Sequence, residues 1–233
     1  MLLKGEFQSP EAMQKNPQVS IFGKGLFMTY KLYYAPASAS MGVRLILEEL
    51  GVAYELIQST INRDVQRPPE QVSINPNGWL PVLVWDKGAM YEAAAITMFL
   101  CDKHPEANLA PQFDDPKRGI YLQTLVYFSN SVQNAFQLNY HPDRFADTLE
   151  GEASAKRRGV KRLRETWTVI NEQIGDNSWV LGDQFSAVDI YLFMLTTWLD
   201  PLLEHPKIEE FINVKRVADA VSNRPKTQTV YKN

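Results

Sequence analysis

The chain has one cysteine, Cys101, in 233 residues, so no intramolecular disulfide can staple it and a reducing, cytoplasmic setting is expected. Histidine is almost as scarce. His104, His141 and His205 stand far apart, each beside a proline, and none shows metal-ligand spacing, so no metal centre is expected. No apolar run approaches the roughly 20 residues of a membrane-spanning helix, which argues against a membrane partner. An excess of positive charge is also missing: 24 Lys and Arg face 27 Asp and Glu, for a net charge of −3. That balance gives no reason to expect nucleic acid or an anionic lipid surface. Residues 1–27 lack both the apolar core of a secretory signal and the arginines of a transit peptide. With Pro10, Pro17, Gly23 and Gly25 and little periodicity, they are read as an N-terminal extension without an assigned function.

What is present is an ordinary globular composition, 45% apolar and 22% charged, in a chain long enough for one large or two smaller cores. Tyr30 to Tyr34 reads as an aromatic-rich strand, and Val43, Ile46, Leu47 and Leu50 recur at helical spacing until Gly51 stops the run. Ala53 to Ile57 is a second strand, and Pro69 to Ser73 is compatible with a helix. Val82 to Trp85 and Ala89 to Tyr91 flank Asp86-Lys87-Gly88 as a hairpin, and a helix runs from Glu92 to His104. The order β-α-β-α-β-β-α is that of a thioredoxin-like α/β layer, placed at 28–107. Residues 108–116 are proline-rich and irregular and serve as the linker. The remainder, 117–233, reads as an all-helical domain with helices at 117–140, 148–174, about 186–203 and about 208–222. Within it, Ser186 and Asp189 have the spacing of a helix N-terminal capping box, with Phe185 and Ile190 as its hydrophobic staple.

The most informative stretch is Asn75-Pro-Asn-Gly-Trp-Leu-Pro-Val-Leu83, followed by Tyr91-Glu92 opening a helix. Pro81 directly precedes a β-type run, where the cis form of the X-Pro bond fits. The N–H and C=O of Leu80 would then be free to pair with an extended peptide. Glu92 stands at a helix N-terminus, where free N–H groups favour a ligand carboxylate. Backbone pairing beside a carboxylate pocket suits a small peptide with an amino-acid head group.

These residues resemble the glutathione-binding half of the glutathione transferase superfamily, and the likeness extends over nearly the whole chain from about Met28. It implies glutathione as co-substrate, a small hydrophobic electrophile as second substrate, and a homodimer. It also assigns residues. Trp79, Leu80 and Pro81 would hold the peptide, with Trp79 either walling the pocket or packing. Glu92 and the Ala93 N–H would hold the γ-glutamyl end. Ala93 replaces the usual serine or threonine, a loss of about 0.5–1.5 kcal/mol per hydrogen bond, or up to about 3 with a charged partner.

The family works by ionising a bound thiol. Lowering its pKa from about 8.5 by about two units takes about 2.7 kcal/mol. The hydroxyl responsible belongs in the loop Tyr34-Ala-Pro-Ala-Ser-Ala-Ser40. Ser38 is the first choice, Ser40 the second and Tyr34 the third, while Ser40 alternatively caps a helix starting at Met41. The bacterial beta-type pattern aligns without gaps through this loop and puts Ala39 where that type has cysteine, which argues against mixed-disulfide chemistry. Tyr127, Asn130, Gln133 and Asn134, with Gln137, form a polar stripe that either lines the second-substrate pocket or faces solvent or a second subunit. Two rival functions follow. One is another glutathione-dependent reaction, such as peroxide reduction, dehalogenation or ether cleavage. The other is a non-catalytic, transferase-like binding protein.

Overall fold

The computed structural model describes residues 29–232; the extension read at 1–27 lies outside the described residues. Strand β1 (Tyr30–Tyr34) runs parallel to β2 (Tyr54–Gln58) and antiparallel to β3 (Val82–Trp85), and β4 (Gly88–Tyr91) closes the order β2-β1-β3-β4. Helix α1 (Ser40–Leu50) connects β1 to β2 and ends at Gly51, whose φ of +68° is the left-handed conformation that glycine adopts without a Cβ penalty. Short α2 (Pro69–Ile74) precedes β3, and α3 (Ala93–Lys103) follows β4. Tyr30, Leu32 and Leu83 of the sheet are buried with Leu45, Ile46 and Leu47 of α1 and with Ile96 and Leu100 of α3.

Beyond the connecting segment the chain is helical. Helix α4 (Arg118–Tyr127) passes through one π-helical turn (Phe128–Val132) into α5 (Gln133–Tyr140), where a single helix over 117–140 is expected from the apolar period. Helix α6 (Leu149–Ile174) is capped by the Thr148 hydroxyl, which accepts from Gly151 N–H at 3.1 Å. It packs so closely on α5 that a Cβ at Gly159 would lie 2.9 Å from the Ala135 carbonyl oxygen. Helix α7 (Ala187–Thr196) is apolar all round and buried from Ala187 to Leu195, as suits a helix at the centre of a core. It stops at Thr196, short of the expected 203. Asp200 precedes Pro201, adopts an extended backbone, and caps a new 3₁₀ turn by accepting from Leu202 N–H at 2.9 Å. Helix α8 (Ile212–Ser222) begins after a separate 3₁₀ turn at Ile208–Glu210, and α9 (Pro225–Tyr231) was not anticipated. Its signal was Pro225 at the first helical position.

The capping box of α7 forms as expected. Asp189 is fully buried. Its Oδ2 accepts from the Ser186 N–H at 2.8 Å and the Ser186 hydroxyl at 3.0 Å, and its Oδ1 accepts from Val180 N–H at 2.8 Å. Burial outweighs these bonds and pushes the carboxyl pKa up to about 6.

The two halves share α1. A Cβ at Gly42 would lie 2.6 Å from Met194 Sδ of α7, so any larger residue there forces Met194 to move. Glu49 of α1 accepts two bonds from Arg224, at 2.7 and 2.8 Å, and the guanidinium lies 3.7 Å from the centre of the Phe185 ring. Arg118 of α4 makes a matching pair with Asp102 of α3, at 2.8 and 3.0 Å. Among the described residues no helix is long and apolar enough to cross a membrane.

Candidate active site

The loop from β1 to α1 is closed by its own two hydroxyls. Ala35 N–H donates to Ser40 Oγ at 3.1 Å, Ser40 and Ser38 Oγ lie 2.6 Å apart, and the Ser38 hydroxyl donates to Ala35 C=O at 2.8 Å. Ser38 Oγ also accepts the Ser40 N–H at 3.2 Å. The Ser40 hydroxyl also reaches Ala35 C=O at 3.2 Å, so both hydroxyls face that carbonyl and either can donate to the other. Ser40 is 0% exposed and Ser38 is 7% exposed, so only Ser38 borders the outside. Ser40 does not cap α1 through its side chain; the helix starts at Ser40 itself, and Ala39 occupies the cap position with no side-chain bond. Ala37, an alanine at φ +58°, pays backbone strain to turn the loop. Tyr34 is half-buried, and the Arg44 guanidinium lies 5.9 Å from its ring centre.

The second wall is built from the Asn-Pro-Asn-Gly motif. Buried Asn75 closes it. Its C=O accepts Gly78 N–H at 2.8 Å, its Oδ1 accepts Asn77 N–H at 3.2 Å, and its Nδ2 donates to Trp79 C=O at 3.2 Å. Gly78 sits at φ +68°, where a Cβ would also lie 2.9 Å from Arg67 Cδ. Gln71, fully buried, donates to Gly78 C=O at 3.0 Å and accepts from the Ser59 hydroxyl. Sequence reasoning missed Gln71, because a lone glutamine on a short helix carries no pattern. The Leu80–Pro81 bond is cis. Among the described residues neither the N–H nor the C=O of Leu80 has a hydrogen-bond partner. Trp79 is 49% exposed and carries the Arg144 guanidinium 5.0 Å from its ring centre.

The third wall is the start of α3. Glu92, at φ +75°, turns the chain into the helix, and Ile96 N–H bonds back to Glu92 C=O at 2.9 Å. The N–H groups of Ala93, Ala94 and Ala95 are then the unpaired first-turn donors of the helix. Ala93 itself is buried.

The polar stripe is dispersed. Tyr127 lies near Arg162 and Glu165 of α6, and burial raises its pKa. Gln133 accepts from the Tyr191 hydroxyl at 2.9 Å; burial, then the Glu92 charge, raises the pKa of that tyrosine, which places this pair near the α3 start. Asn130, on the π-turn, and Asn134 are exposed. Cys101 is buried away from chemistry, with its thiol pKa pushed up to about 12 by burial. Among the described residues no group of His, Cys, Asp and Glu could hold a metal.

Arginines complete the rim, and sequence reasoning missed them too, because they lie on two unpatterned loops. Arg63 and Arg67 line a surface groove of about 650 Å³ against α2 and Gly78. Arg63 pairs with Asp143, whereas Arg67 makes no hydrogen bond or ion pair among the described residues and its Nε is buried.

Profiles of the glutathione S-transferase N-terminal and C-terminal domains match residues 32–108 and 153–220. The chain belongs to the glutathione S-transferase family. Glutathione S-transferase GstA of Escherichia coli O157:H7 is 25% identical over 170 residues, 72% of this chain and 81% of that protein. A bacterial glutathione transferase, BphK, solved as a ternary complex, superposes with a TM-score of 0.73 at 25% identity, covering 87% of this chain and 98% of that one. A glutathione transferase from Burkholderia graminis, solved with two glutathione molecules bound per subunit, gives a TM-score of 0.74 at 27% identity and covers 87% of each chain.

Proposed function

We propose that this family member is a glutathione transferase that ionises bound glutathione for attack on a small hydrophobic electrophile, working as a homodimer in the cytoplasm. The observation that carries the reading is the free backbone pair of Leu80, set beside Trp79 and Pro81 and supported by the α3 start and the serine loop. An extended tripeptide pairs there through its cysteinyl N–H and C=O. Its γ-glutamyl carboxylate meets the first-turn N–H groups of Ala93 and Ala94, and its ammonium meets Glu92. Unpartnered Arg67, on the Gly78 side of Leu80, takes the glycyl carboxylate. The thiol then lies toward the β1–α1 loop. There the Ser38 hydroxyl turns from Ala35 C=O to donate to sulfur, while Ser40 holds the loop and Tyr34 flanks it.

Conjugation needs little more than this nucleophile. The thiolate forms a carbon–sulfur bond, and the acceptor's leaving group departs with the electron pair of the broken bond. Gln133, Asn130, Asn134 and Tyr127 form the acceptor side.

The test is an ultraviolet thiolate titration of glutathione on the protein between about pH 5 and 9. A thiolate band that persists well below the free-thiol pKa of about 8.5 supports the reading. No band at saturating glutathione overturns it in favour of a non-catalytic binding protein, a reading favoured by Ala39, Ala93 and the closed serine ring.

A further inference from the structure

Cross-domain contacts at the mouth of the cleft leave a charge unanswered. Three guanidinium groups gather there: Arg63 and Arg67 from the β2–α2 loop, and Arg144 from the turn after α5. One carboxylate, Asp143, is paired, and its partner is Arg63. Arg144 is held by neutral groups only, the Gln137 side-chain oxygen and the Trp79 ring. The charges that register at Arg144 are Arg63, Arg67 and Asp143, and burial with the two like charges depresses its pKa. His141, near both Arg63 and Arg144, has its pKa lowered by burial first and then by those cations. Asp64 lines the groove beside Arg67 but is not among the groups acting on Arg144.

Arg144 is exposed, but two like charges stand beside it and Asp143 is already paired with Arg63, so an anion lying against it is favoured. Under the transferase reading, the glycyl carboxylate satisfies Arg67 and leaves Arg144 free. Arg144 lies between Trp79, the neighbour of Leu80, and Gln137, the last member of the α5 polar stripe, so the anion it meets enters from the acceptor side. We propose that Arg144 is a specificity determinant that selects acceptors bearing a carboxylate, with their aromatic or apolar body against Trp79. This goes beyond a generic hydrophobic electrophile and rests on the transferase reading only for the name of the ligand.

The experiment is calorimetric titration of the full chain with nitrobenzoate and with its neutral isostere nitrobenzamide, each with and without saturating glutathione. Neither probe carries a halide leaving group, so binding is read apart from turnover. The acid is expected to bind roughly five- to tenfold tighter than the amide at low salt, an advantage that shrinks as salt is added. Arg144→Gln is expected to abolish the preference and Arg144→Lys to keep part of it, while Arg158→Gln, on exposed α6, leaves it intact. Equal affinities in the wild type, or a preference that survives Arg144→Gln, would overturn the proposal. Absence of glutathione binding in the same titrations would sink the transferase reading instead, with the acid–amide ratio still legible.

Discussion

Ser38 and Ser40 are two residues apart, are joined by two hydrogen bonds, and should fail in different ways when removed. On the proposed reading the Ser38 hydroxyl gives up its bond to Ala35 C=O, worth about 0.5–1.5 kcal/mol, to donate to a thiolate, where a charged acceptor makes the bond worth about 1.5–3 kcal/mol. The net of about 1–1.5 kcal/mol corresponds to about one pKa unit of the bound thiol. Ser38→Ala should therefore raise the thiol pKa by about one unit, the rest of the depression coming from nearby N–H groups. Ser40 cannot reach the ligand, but it is the acceptor for Ala35 N–H in a buried loop. Ser40→Ala leaves that donor unmet at a cost of about 1–3 kcal/mol, or about 2–12 °C in melting temperature for a chain of this size. Thiolate titration and thermal unfolding, run on both variants, read the two effects separately. If both variants shifted the thiol pKa equally, or if Ser38→Ala shifted it not at all, Ser38 as thiol donor with Ser40 as loop support would be the wrong account.

Asp189→Ala removes the acceptor of three buried donors, each costing about 1–3 kcal/mol when left unmet, and should destabilise the fold by at least about 1–3 kcal/mol. Because folding raises this carboxyl from 3.8 to about 6, its protonation stabilises the native state, most fully below about pH 4, and that contribution is lost as pH rises through 6. The gap between wild type and Asp189→Ala in urea midpoint should thus widen from pH 7 to pH 5; a gap that narrows would refute the assignment. Gly42→Val forces a side chain into Met194 and should cost about 1–3 kcal/mol in chemical denaturation. Cys101, buried and with its pKa near 12, should resist a chromogenic thiol reagent in the folded protein and react at once in denaturant.

Elements whose residues face one core were legible in the sequence. The β1, α1 and β3 segments read as apolar runs bounded by turn residues because they are largely buried, and the Ser186–Asp189 box is a local bond that needs no tertiary context. The Asn75–Leu80 turn was legible for the same reason, since Asn75 and Gly78 satisfy each other within four residues. What escaped depends on contacts distant in sequence. The π-turn at Phe128–Val132 leaves the apolar spacing nearly unchanged, so no pattern announces it. Separating Ser38 from Ser40 rests on their difference in burial, and both serines look alike in the chain. Arg67 and Arg144 lie 77 positions apart on loops that only the assembled halves bring together.

Helix α1 starts at the serine loop but is seated by the other half, through Gly42 on Met194 and Glu49 on Arg224. The serine loop thus takes its position from residues encoded some 150 and more positions downstream. An exchange of C-terminal halves between relatives, made to change the acceptor, therefore also moves the nucleophile's support unless the groups opposite positions 42 and 49 travel with it. On the proposed reading, acceptor choice and thiol activation are inherited together, and a recombined chain that swaps one will be selected on both.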